Sequence, residues 1–358
     1  MNETLDKLKD TLSDKMAGKP AAIHVCMMGA RGVGKTSVLT SMFHNLNAVN
    51  ADTNLHLVPQ KDPHTGNSFT QVAIEERYIQ LLEMFHDAFP GKPINTSGIG
   101  ASFDVREYYF MFGVKGRKPE LELQIKDFPG EYIRTQPQNV IEYIRESTAL
   151  LVAVDTPHLM ECDGQFCEAK NSVSQITDLF KMALDGQQDE KLVLFVPLKC
   201  EKYSRDGNMQ DVTQAVEQAY ADLIGFIKSG KGGRVVCAIT PILTVGDVVF
   251  KEFLQENGSV KTVGEEGLPA EAVYVYANGV PGYHPRYCEQ PLCYLLSFVS
   301  RLYERQKSDS DGSFLKKMAA IFKLFPEDPT LLLEINRFSR KMVRERDGYK
   351  VVTGKGFI

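Results

Sequence analysis

Continuous apolar runs recur along the chain, and stretches with helical periodicity separate them. Residues Ala21–Met28, Ala149–Val154, Leu192–Pro197 and Val235–Leu243 are apolar almost throughout. Strands covered on both faces have this composition, because neither face meets solvent. The intervening segments repeat apolar residues every three or four positions, which is typical of amphipathic helices. This alternation predicts an α/β fold with three layers around a mainly parallel sheet.

Two further segments alternate apolar and polar residues, as half-buried strands do. Residues Ser102–Val114 are rich in aromatic side chains, and Leu121–Asp127 alternates from its first residue. A turn sequence, Gly-Arg-Lys-Pro, lies between them at residues 116–119. The pattern predicts a hairpin of two strands.

Polar stretches divide the chain into three parts. Residues 1–18 carry apolar side chains at helical spacing and predict an N-terminal helix. Residues 19–306 form the predicted α/β domain, with insertions at about 47–95 and 244–270. Residues 307–358 are predicted to be a mostly helical extension, and its excess of lysine and arginine suits a solvated helix end, a surface for a partner protein, or contact with nucleic acid or anionic lipid.

Composition and charge describe an ordinary globular chain. The chain has 358 residues, 43% of them hydrophobic, and a formal net charge of −5. A negative balance argues against broad DNA or RNA binding through a basic surface. The polar start and the lack of a long apolar run predict no secretory signal and no transmembrane segment. With seven scattered cysteines, the expected location is the cytoplasm.

The motif G-x-x-x-x-G-K-[ST] follows the first apolar run. Residues 29–36 read Gly-Ala-Arg-Gly-Val-Gly-Lys-Thr. In this motif the backbone N–H groups surround the phosphates of a nucleotide, the lysine reaches the terminal phosphates, and the hydroxyl ligates Mg²⁺. Strand, glycine loop and helix occur in the required order, so the helix N-terminus also faces the anion. The predicted nucleotide-binding residues of this segment are Gly29, Arg31, Gly32, Val33, Gly34, Lys35, Thr36 and Ser37.

A second motif, Asp-Phe-Pro-Gly-Glu, ends the hairpin at residues 127–131. Asp127 can hold the shell of a magnesium ion through water, which is the acidic half of phosphoryl-transfer chemistry in this class of site. Gly130 has no Cβ, so its N–H can approach the γ-phosphate of the nucleotide. Metal binding is therefore predicted at Thr36 and Asp127.

With these two motifs in this order, the chain resembles the translation-factor and Ras-related class of P-loop GTPases. More narrowly, it resembles the large, insertion-bearing, double-GTPase-like proteins of bacterial conflict and signalling systems. The resemblance covers roughly residues 20–305 and rests on the order of the motifs. It implies a three-layer P-loop NTPase fold with one antiparallel strand at a sheet edge. It also implies a magnesium-binding threonine, which falls on Thr96, with Thr70 and Ser97 as competitors.

The resemblance also places a base-recognition motif, Asn-Lys-x-Asp, at the end of the Leu192–Pro197 run. The chain has Leu-Lys-Cys-Glu there. Lys199 matches the lysine whose stem covers the base, and Glu201 replaces the aspartate as a bidentate acceptor. Leu198 departs from asparagine, so weakened guanine selectivity is expected. Lys199 and Glu201 are alternatively only charged residues at a strand end.

Hydrolysis requires a positioned water, which Ras-like proteins hold with a glutamine after Asp-x-x-Gly. Glu131 occupies that position and could orient the water, although its charge predicts slow turnover. The predicted catalytic residues are therefore Lys35, Gly130 and Glu131. Arg31 could act as an arginine finger within its own chain, but an outward orientation is the favoured interpretation. Arg134 is a second candidate.

These observations predict a GTPase that binds GTP or GDP with Mg²⁺ and hydrolyses GTP slowly. It would act as a nucleotide-dependent switch for an effector protein or a partner GTPase. Two alternatives stay open: a scaffold that holds its nucleotide without hydrolysis, and an ATPase with the same fold.

Overall fold

A computed structural model describes residues 21–49, 53–62, 65–86, 93–94, 104–119, 121–187, 189–277, 283–308 and 330–358. The predicted helix at residues 1–18 lies outside these ranges, and so do Thr96 and Ser97.

The strands fall into one large central sheet and smaller sheets of two or three strands. In chain order they are β1 (Ala21–Met28), β2 (Leu55–Pro59), β3 (Pro93–Ile94), β4 (Arg106–Val114), β5 (Leu121–Asp127), β6 (Ala149–Asp155), β7 (Lys191–Leu198), β8 (Val235–Ile239), β9 (Val248–Phe253), β10 (Gln255–Glu256), β11 (Ser259–Val260), β12 (Thr262–Val263), β13 (Leu268–Pro269), β14 (Ala272–Tyr276) and β15 (Lys350–Thr353).

The helices alternate with the strands of the central sheet. They are α1 (Lys35–Val49), α2 (Phe69–His86), α3 (Tyr132–Thr135), α4 (Pro137–Glu146), α5 (Thr156–Met160), α6 (Cys167–Asn171), α7 (Val173–Leu184), α8 (Glu201–Arg205), α9 (Met209–Ala219), α10 (Ala221–Lys228), α11 (Gln290–Ser308) and α12 (Thr330–Ser339). Within the described ranges, no helix combines the length and the hydropathy that crossing a bilayer requires.

The central sheet confirms the prediction of a mostly parallel α/β fold. Its strand order among the described residues is β15-β8-β7-β6-β1-β5-β4-β2. The five strands β5, β1, β6, β7 and β8 are parallel. Strand β4 pairs antiparallel with β5, as the hairpin pattern predicts. It does not lie at the edge, however, because β2 pairs with its other side. Of the two edge strands, β15 pairs antiparallel with β8 and so runs against the five parallel strands, whereas β2, which pairs antiparallel with β4, runs in the same direction as they do.

Helices cover both faces of this sheet, which explains the continuous apolar runs. Along β8, Val236 and Ala238 belong to an apolar cluster with residues of α1, α11 and α12. Their neighbours Cys237 and Ile239 belong to a cluster with α4, α7 and α10 on the other face. Every residue of β6 and β7 is buried, as expected for strands with no solvent face.

The two predicted insertions pack against each other at the carboxyl ends of the parallel strands. Strand β3, from the first insertion, pairs with β14, which also pairs with β9 from the second. A third apolar cluster joins this three-stranded sheet to α2. In that cluster Leu81 and Phe85 of α2 meet Val248, Phe250 and Tyr274. Parts of both insertions thus form a separate layer at this end of the sheet, whereas β2, also from the first insertion, belongs to the central sheet itself.

The end of the chain is part of the central domain. Helix α12 packs on α11, and β15 extends the sheet. The hydroxyl of Tyr294 in α11 donates to the carbonyl of Val343 (2.7 Å), and Tyr349 donates to the carbonyl of Pro241 (2.7 Å). The division at residue 307 remains a prediction, but residues 330–358 contribute a helix and a strand to this domain.

Candidate functional site

The glycine loop, residues 29–36, lies between the carboxyl end of β1 and the start of α1. Gly29 has φ +144°. A Cβ there would lie 3.0 Å from the Ala153 carbonyl oxygen, so glycine keeps the loop close to β6. From α6, Lys170 Nζ donates to the carbonyl of Arg31 (3.1 Å). Because α1 runs for 15 residues from Lys35, the loop stands at the positive end of a full helix.

The side chain of Lys35 lies folded beneath the loop. Its Nζ donates to the carbonyl of Gly29 (2.8 Å) and lies 4.0 Å from Asp127 Oδ1. Burial lowers the pKa of Lys35, whereas the Asp127 charge acts to raise it. The ammonium group is therefore in place beside the loop, and the carboxylates of Asp127 and Glu131 act as its counter-charges.

Thr36 and Asp127 join the two sequence motifs. The Thr36 hydroxyl donates to Asp127 Oδ2 at 2.9 Å. The other carboxylate oxygen, Oδ1, is buried and has no hydrogen-bond partner among the described residues. Burial raises the pKa of Asp127, although the Lys35 charge and the Thr36 hydrogen bond oppose this. A hydroxyl beside a carboxylate with a spare oxygen fits Mg²⁺, which prefers oxygen ligands and retains bound water.

Gly130 holds the second motif against the glycine loop. A Cβ added at Gly130 would lie 2.2 Å from the Arg31 backbone nitrogen and 2.4 Å from the Ala30 carbonyl carbon. No side chain can occupy that space without moving one backbone away from the other. Any shift of residues 127–131 is thus coupled sterically to the glycine loop.

Arg31 and Glu131 form an ion pair at the rim of this contact, with 3.0 Å between Arg31 Nη1 and Glu131 Oε1. The Arg31 side chain is 52% exposed and points outward. Glu131 Oε2 is shielded from solvent and has no hydrogen-bond partner in the described parts of the chain. One carboxylate oxygen is therefore engaged by Arg31, while the other remains a buried acceptor.

A pocket with a cavity volume of about 190 Å³ opens beside these groups. The residues that line it are Arg31, Gly32, Val33, Gly34, Lys35, Thr36, Ser37, Arg77, Leu81, Met84, Phe85, Asp127, Phe128, Pro129, Gly130, Lys199, Thr244, Val245, Val248 and Tyr274. Most sequence-predicted site residues meet here. Gly29, Glu131 and Glu201 do not line the pocket.

Lys199 reaches the pocket from the end of β7 in a left-handed backbone conformation, with φ +60°. Its Nζ donates to Asp155 Oδ2 at 2.6 Å. Although burial acts to raise the pKa of Asp155, the charges of Lys199 and His158 hold it well below its usual range. Burial acts to lower the pKa of Lys199, but Asp155 raises it. The lysine stem is thus fixed in the pocket wall by a buried ion pair.

Glu201 takes a different place from the one the sequence predicts. It is 2% exposed, and its Oε1 accepts hydrogen bonds from the backbone nitrogens of Val245 (2.7 Å) and Gly246 (3.3 Å). Burial raises its pKa to about 7, despite these hydrogen bonds. Through these two hydrogen bonds the carboxylate braces the segment that carries the pocket-lining Thr244 and Val245.

Sequence reasoning missed the pocket residues that the insertions supply. Arg77, Leu81, Met84 and Phe85 come from α2, and Tyr274 comes from β14. The signal was the helical spacing at 77, 81, 84 and 85, which places these residues on one face of α2. A sequence pattern predicts that such a helix face packs against other elements, but it does not predict that part of the face lines a cavity.

Comparisons with known proteins give a limited result. No protein-family model matches the chain, and neither does any curated protein. One similar solved structure is the S. cerevisiae Ski7 GTPase-like domain bound to GTP. It is 13% identical with a TM-score of 0.39, and the match covers 83% of this chain and 53% of that one.

A second is the same Ski7 domain bound to GDP and inorganic phosphate. It is 13% identical with a TM-score of 0.36, and the match covers 65% of this chain and 45% of that one. The chain spans about half the length of these structures. Similarity of this extent carries no information on individual residues.

Proposed function

We propose that the protein binds a nucleoside triphosphate with Mg²⁺, prefers GTP, and hydrolyses it slowly. The observation that carries this proposal is the hydrogen bond between Thr36 and Asp127 (2.9 Å) beneath the pocket, with Lys35 beside it and Asp127 Oδ1 left without a partner in the described structure. A hydroxyl, a lysine and a carboxylate converging at a glycine loop and a helix N-terminus are the groups that a metal-bound triphosphate requires.

The phosphates would lie along the glycine loop. Backbone N–H groups from Arg31 to Ser37 would donate hydrogen bonds to the phosphate oxygens. The Lys35 ammonium would leave the Gly29 carbonyl and donate hydrogen bonds to the terminal phosphates instead. The positive end of α1 adds to this attraction.

Thr36 and Asp127 would hold Mg²⁺, Asp127 through water, with Thr96 as a further proposed ligand. When bound, Mg²⁺ neutralises charge on the phosphate oxygens. The protein contributes the fixed Thr36 hydroxyl and the buried carboxylate that orient the ion.

Glu131 is proposed to position the attacking water through its shielded Oε2. Its other oxygen is held by Arg31 at 3.0 Å, which supports slow turnover, because the carboxylate must move to act. Gly130 would sense the γ-phosphate, since it already contacts the glycine loop. A movement there would carry the nucleotide state to an effector protein or a partner GTPase.

The preference for guanine is proposed to depend on Lys199, whose stem would cover the base, and on Glu201. The hydrogen bonds of Glu201 to Val245 and Gly246 indicate that it acts by bracing the wall around the base. The position of Glu201 also favours a second candidate, an ATPase. Apart from Asp127, the described pocket wall has no carboxylate that could accept hydrogen bonds from the edge of a guanine base.

Calorimetry with GTP, GDP and ATP, each with and without Mg²⁺, tests the proposal. Magnesium-dependent binding of GTP that Lys35→Ala removes would support it, and equal affinities for GTP and ATP would favour the ATPase. The absence of binding by all three nucleotides would contradict nucleotide binding altogether.

Single-turnover phosphate release then tests hydrolysis. Release above the Lys35→Ala blank supports a slow GTPase. Tight GTP binding with no release over hours would instead support the scaffold, a candidate that the Arg31–Glu131 ion pair favours.

A further inference from the structure

Helix α2 runs along the pocket from its phosphate side to the side formed by the second insertion. Arg77, Leu81, Met84 and Phe85 project from one helical face into the pocket wall. The charge of Arg77 acts on Asp127, the carboxylate of the predicted metal site. Phe85 belongs to the apolar cluster of the insertions at the other end. A cation and an aromatic ring on one helix therefore lie at opposite ends of the pocket.

Arg77 is only 8% exposed. Burial lowers its pKa, and the neighbouring Tyr108 and Asp127 act to raise it. A guanidinium remains charged in a protein, so Arg77 brings a permanent positive charge to the buried wall of the pocket.

The pocket wall has more cations than anions among its described residues. Arg31, Lys35, Arg77 and Lys199 line it, against the single carboxylate of Asp127. Outside the pocket wall, Glu131 pairs with Arg31 and Asp155 with Lys199. Lys35 and Arg77 both act on Asp127. The excess of positive charge in the lining suits a polyanion at the phosphate end of the pocket.

We propose that Arg77 is a catalytic residue that contacts the triphosphate and stabilises the negative charge of the transition state, an arginine finger supplied by the first insertion. This inference rests on the proposed GTP hydrolysis. In that reaction the water oxygen bonds to the γ-phosphorus, and the bond to the β-phosphate oxygen breaks with its electron pair on GDP. The water gives one proton to Glu131 and from there to solvent, which leaves GDP and hydrogen phosphate.

The two arginines that the sequence suggests for this role have side chains that are more than half exposed and are paired with carboxylates. Arg31 points outward to Glu131, and Arg134 pairs with Glu266 at the surface. Arg77 has the opposite setting, because it is buried and faces the pocket. A planar guanidinium can donate two parallel hydrogen bonds to phosphate oxygens, which a lysine cannot do.

The test compares Arg77→Met and Arg77→Lys with the wild type in single-turnover phosphate release and in GDP affinity. Removal of an arginine finger slows hydrolysis by about 1000-fold or more. We expect such a loss for Arg77→Met, a smaller loss for Arg77→Lys, and a GDP affinity within about threefold of the wild type. Arg301→Met, which removes an exposed arginine of α11, is the matched control and should leave the rate unchanged.

Guanidinium ion added to Arg77→Ala provides a readout that a purely structural role would not give. Partial recovery of the rate supports direct contact with the phosphates. A wild-type rate in Arg77→Met, or an equal loss of GDP affinity and rate without recovery, would overturn the inference.

The same measurements distinguish a failure of the proposed function from a failure of the role proposed for Arg77. A wild-type protein without nucleotide affinity contradicts both proposals. A wild-type protein that binds GTP and releases no phosphate contradicts the role of Arg77 and leaves nucleotide binding standing.

Discussion

The two ends of the pocket differ in how the chain builds them. The proposed phosphate end comes mainly from two short contiguous segments, residues 31–37 and 127–130, held at the ends of neighbouring parallel strands. The opposite end comes from the second half of α2 (Leu81 to Phe85), β9, β14 and the segment at Thr244 and Val245, which are far apart in sequence. Groups that must meet a phosphate need fixed backbone geometry, which the central sheet supplies. Groups that enclose a base need mainly shape and apolar surface, which elements packed together can supply.

The largest effect is expected at the phosphate end. Lys35→Ala removes a charge-assisted hydrogen bond to the terminal phosphates and should weaken both GTP and inorganic triphosphate by about 100-fold or more. Calorimetry measures both ligands. Lys251→Ala, at an exposed lysine of β9, is the control. If Lys35→Ala bound GTP as tightly as the wild type does, the proposal that this end of the pocket binds the phosphates would be contradicted.

Glu201→Gln tests the hydrogen bonds by which Glu201 holds the segment at Val245 and Gly246, and the quantity to measure is the pH dependence of stability. The pKa of Glu201 is raised from 4.5 to about 7 in the folded protein, so the folded state binds the proton more tightly than the unfolded state. Its contribution is fully present below pH 4.5 and is lost as the pH rises through 7. Urea unfolding should show the stability advantage of the wild type over Glu201→Gln shrinking by about 2 to 3 kcal/mol between pH 5 and pH 8. A constant difference across this range would mean that the carboxylate is not held as the structure shows.

Phe85→Leu should affect the binding of GTP and of inorganic triphosphate differently, because Phe85 lies at the end of the pocket away from the glycine loop. Loss of the ring should lower GTP affinity by about fivefold to tenfold, because aromatic contacts contribute on the order of 1 kcal/mol beyond buried area. Affinity for inorganic triphosphate should stay within about twofold, since that ligand does not reach α2 at this point. The matched control is Phe180→Leu, a buried ring of α7 on the other face of the sheet. An equal loss for both ligands would show that Phe85 acts on the whole pocket.

The smallest effect is expected for Arg31→Ala. The ion pair with Glu131 is partly exposed, and such pairs contribute about 0.2 to 1 kcal/mol. Its removal should free Glu131 and raise the single-turnover rate about twofold to fivefold, a gain that a Glu131→Gln background should lack. A fall of more than about tenfold would instead assign the arginine-finger role to Arg31.

The sequence predicts the centre of the fold well. The apolar runs become β1, β6, β7 and β8, and the hairpin becomes β4 and β5, because strands buried on both faces leave a strong pattern. The run at Val235–Leu243 is shorter as a strand and ends at Ile239. Strands β2 and β15 were missed, since five and four residues at the sheet edges carry little periodic signal.

The candidate site divides in the same way. Motif spacing brings Lys35, Thr36 and Asp127 together, because each follows a strand at the same edge of the sheet. It cannot predict the orientation of Glu201, which depends on the N–H groups of Val245 and Gly246 about 45 residues later. Arg77 carries no motif at all, and only the packing of α2 above the sheet brings it to the pocket.

Strand β15 also covers a strand that could otherwise pair with another chain. It occupies the outer side of β8, from Cys237 to Ile239, where backbone N–H and C=O groups would otherwise be open to another chain. Because β8 is apolar throughout, a truncation that removes residues 350–353 would expose an apolar edge strand with unpaired backbone groups. We expect such a shortened protein to aggregate even if the pocket beside the glycine loop is intact.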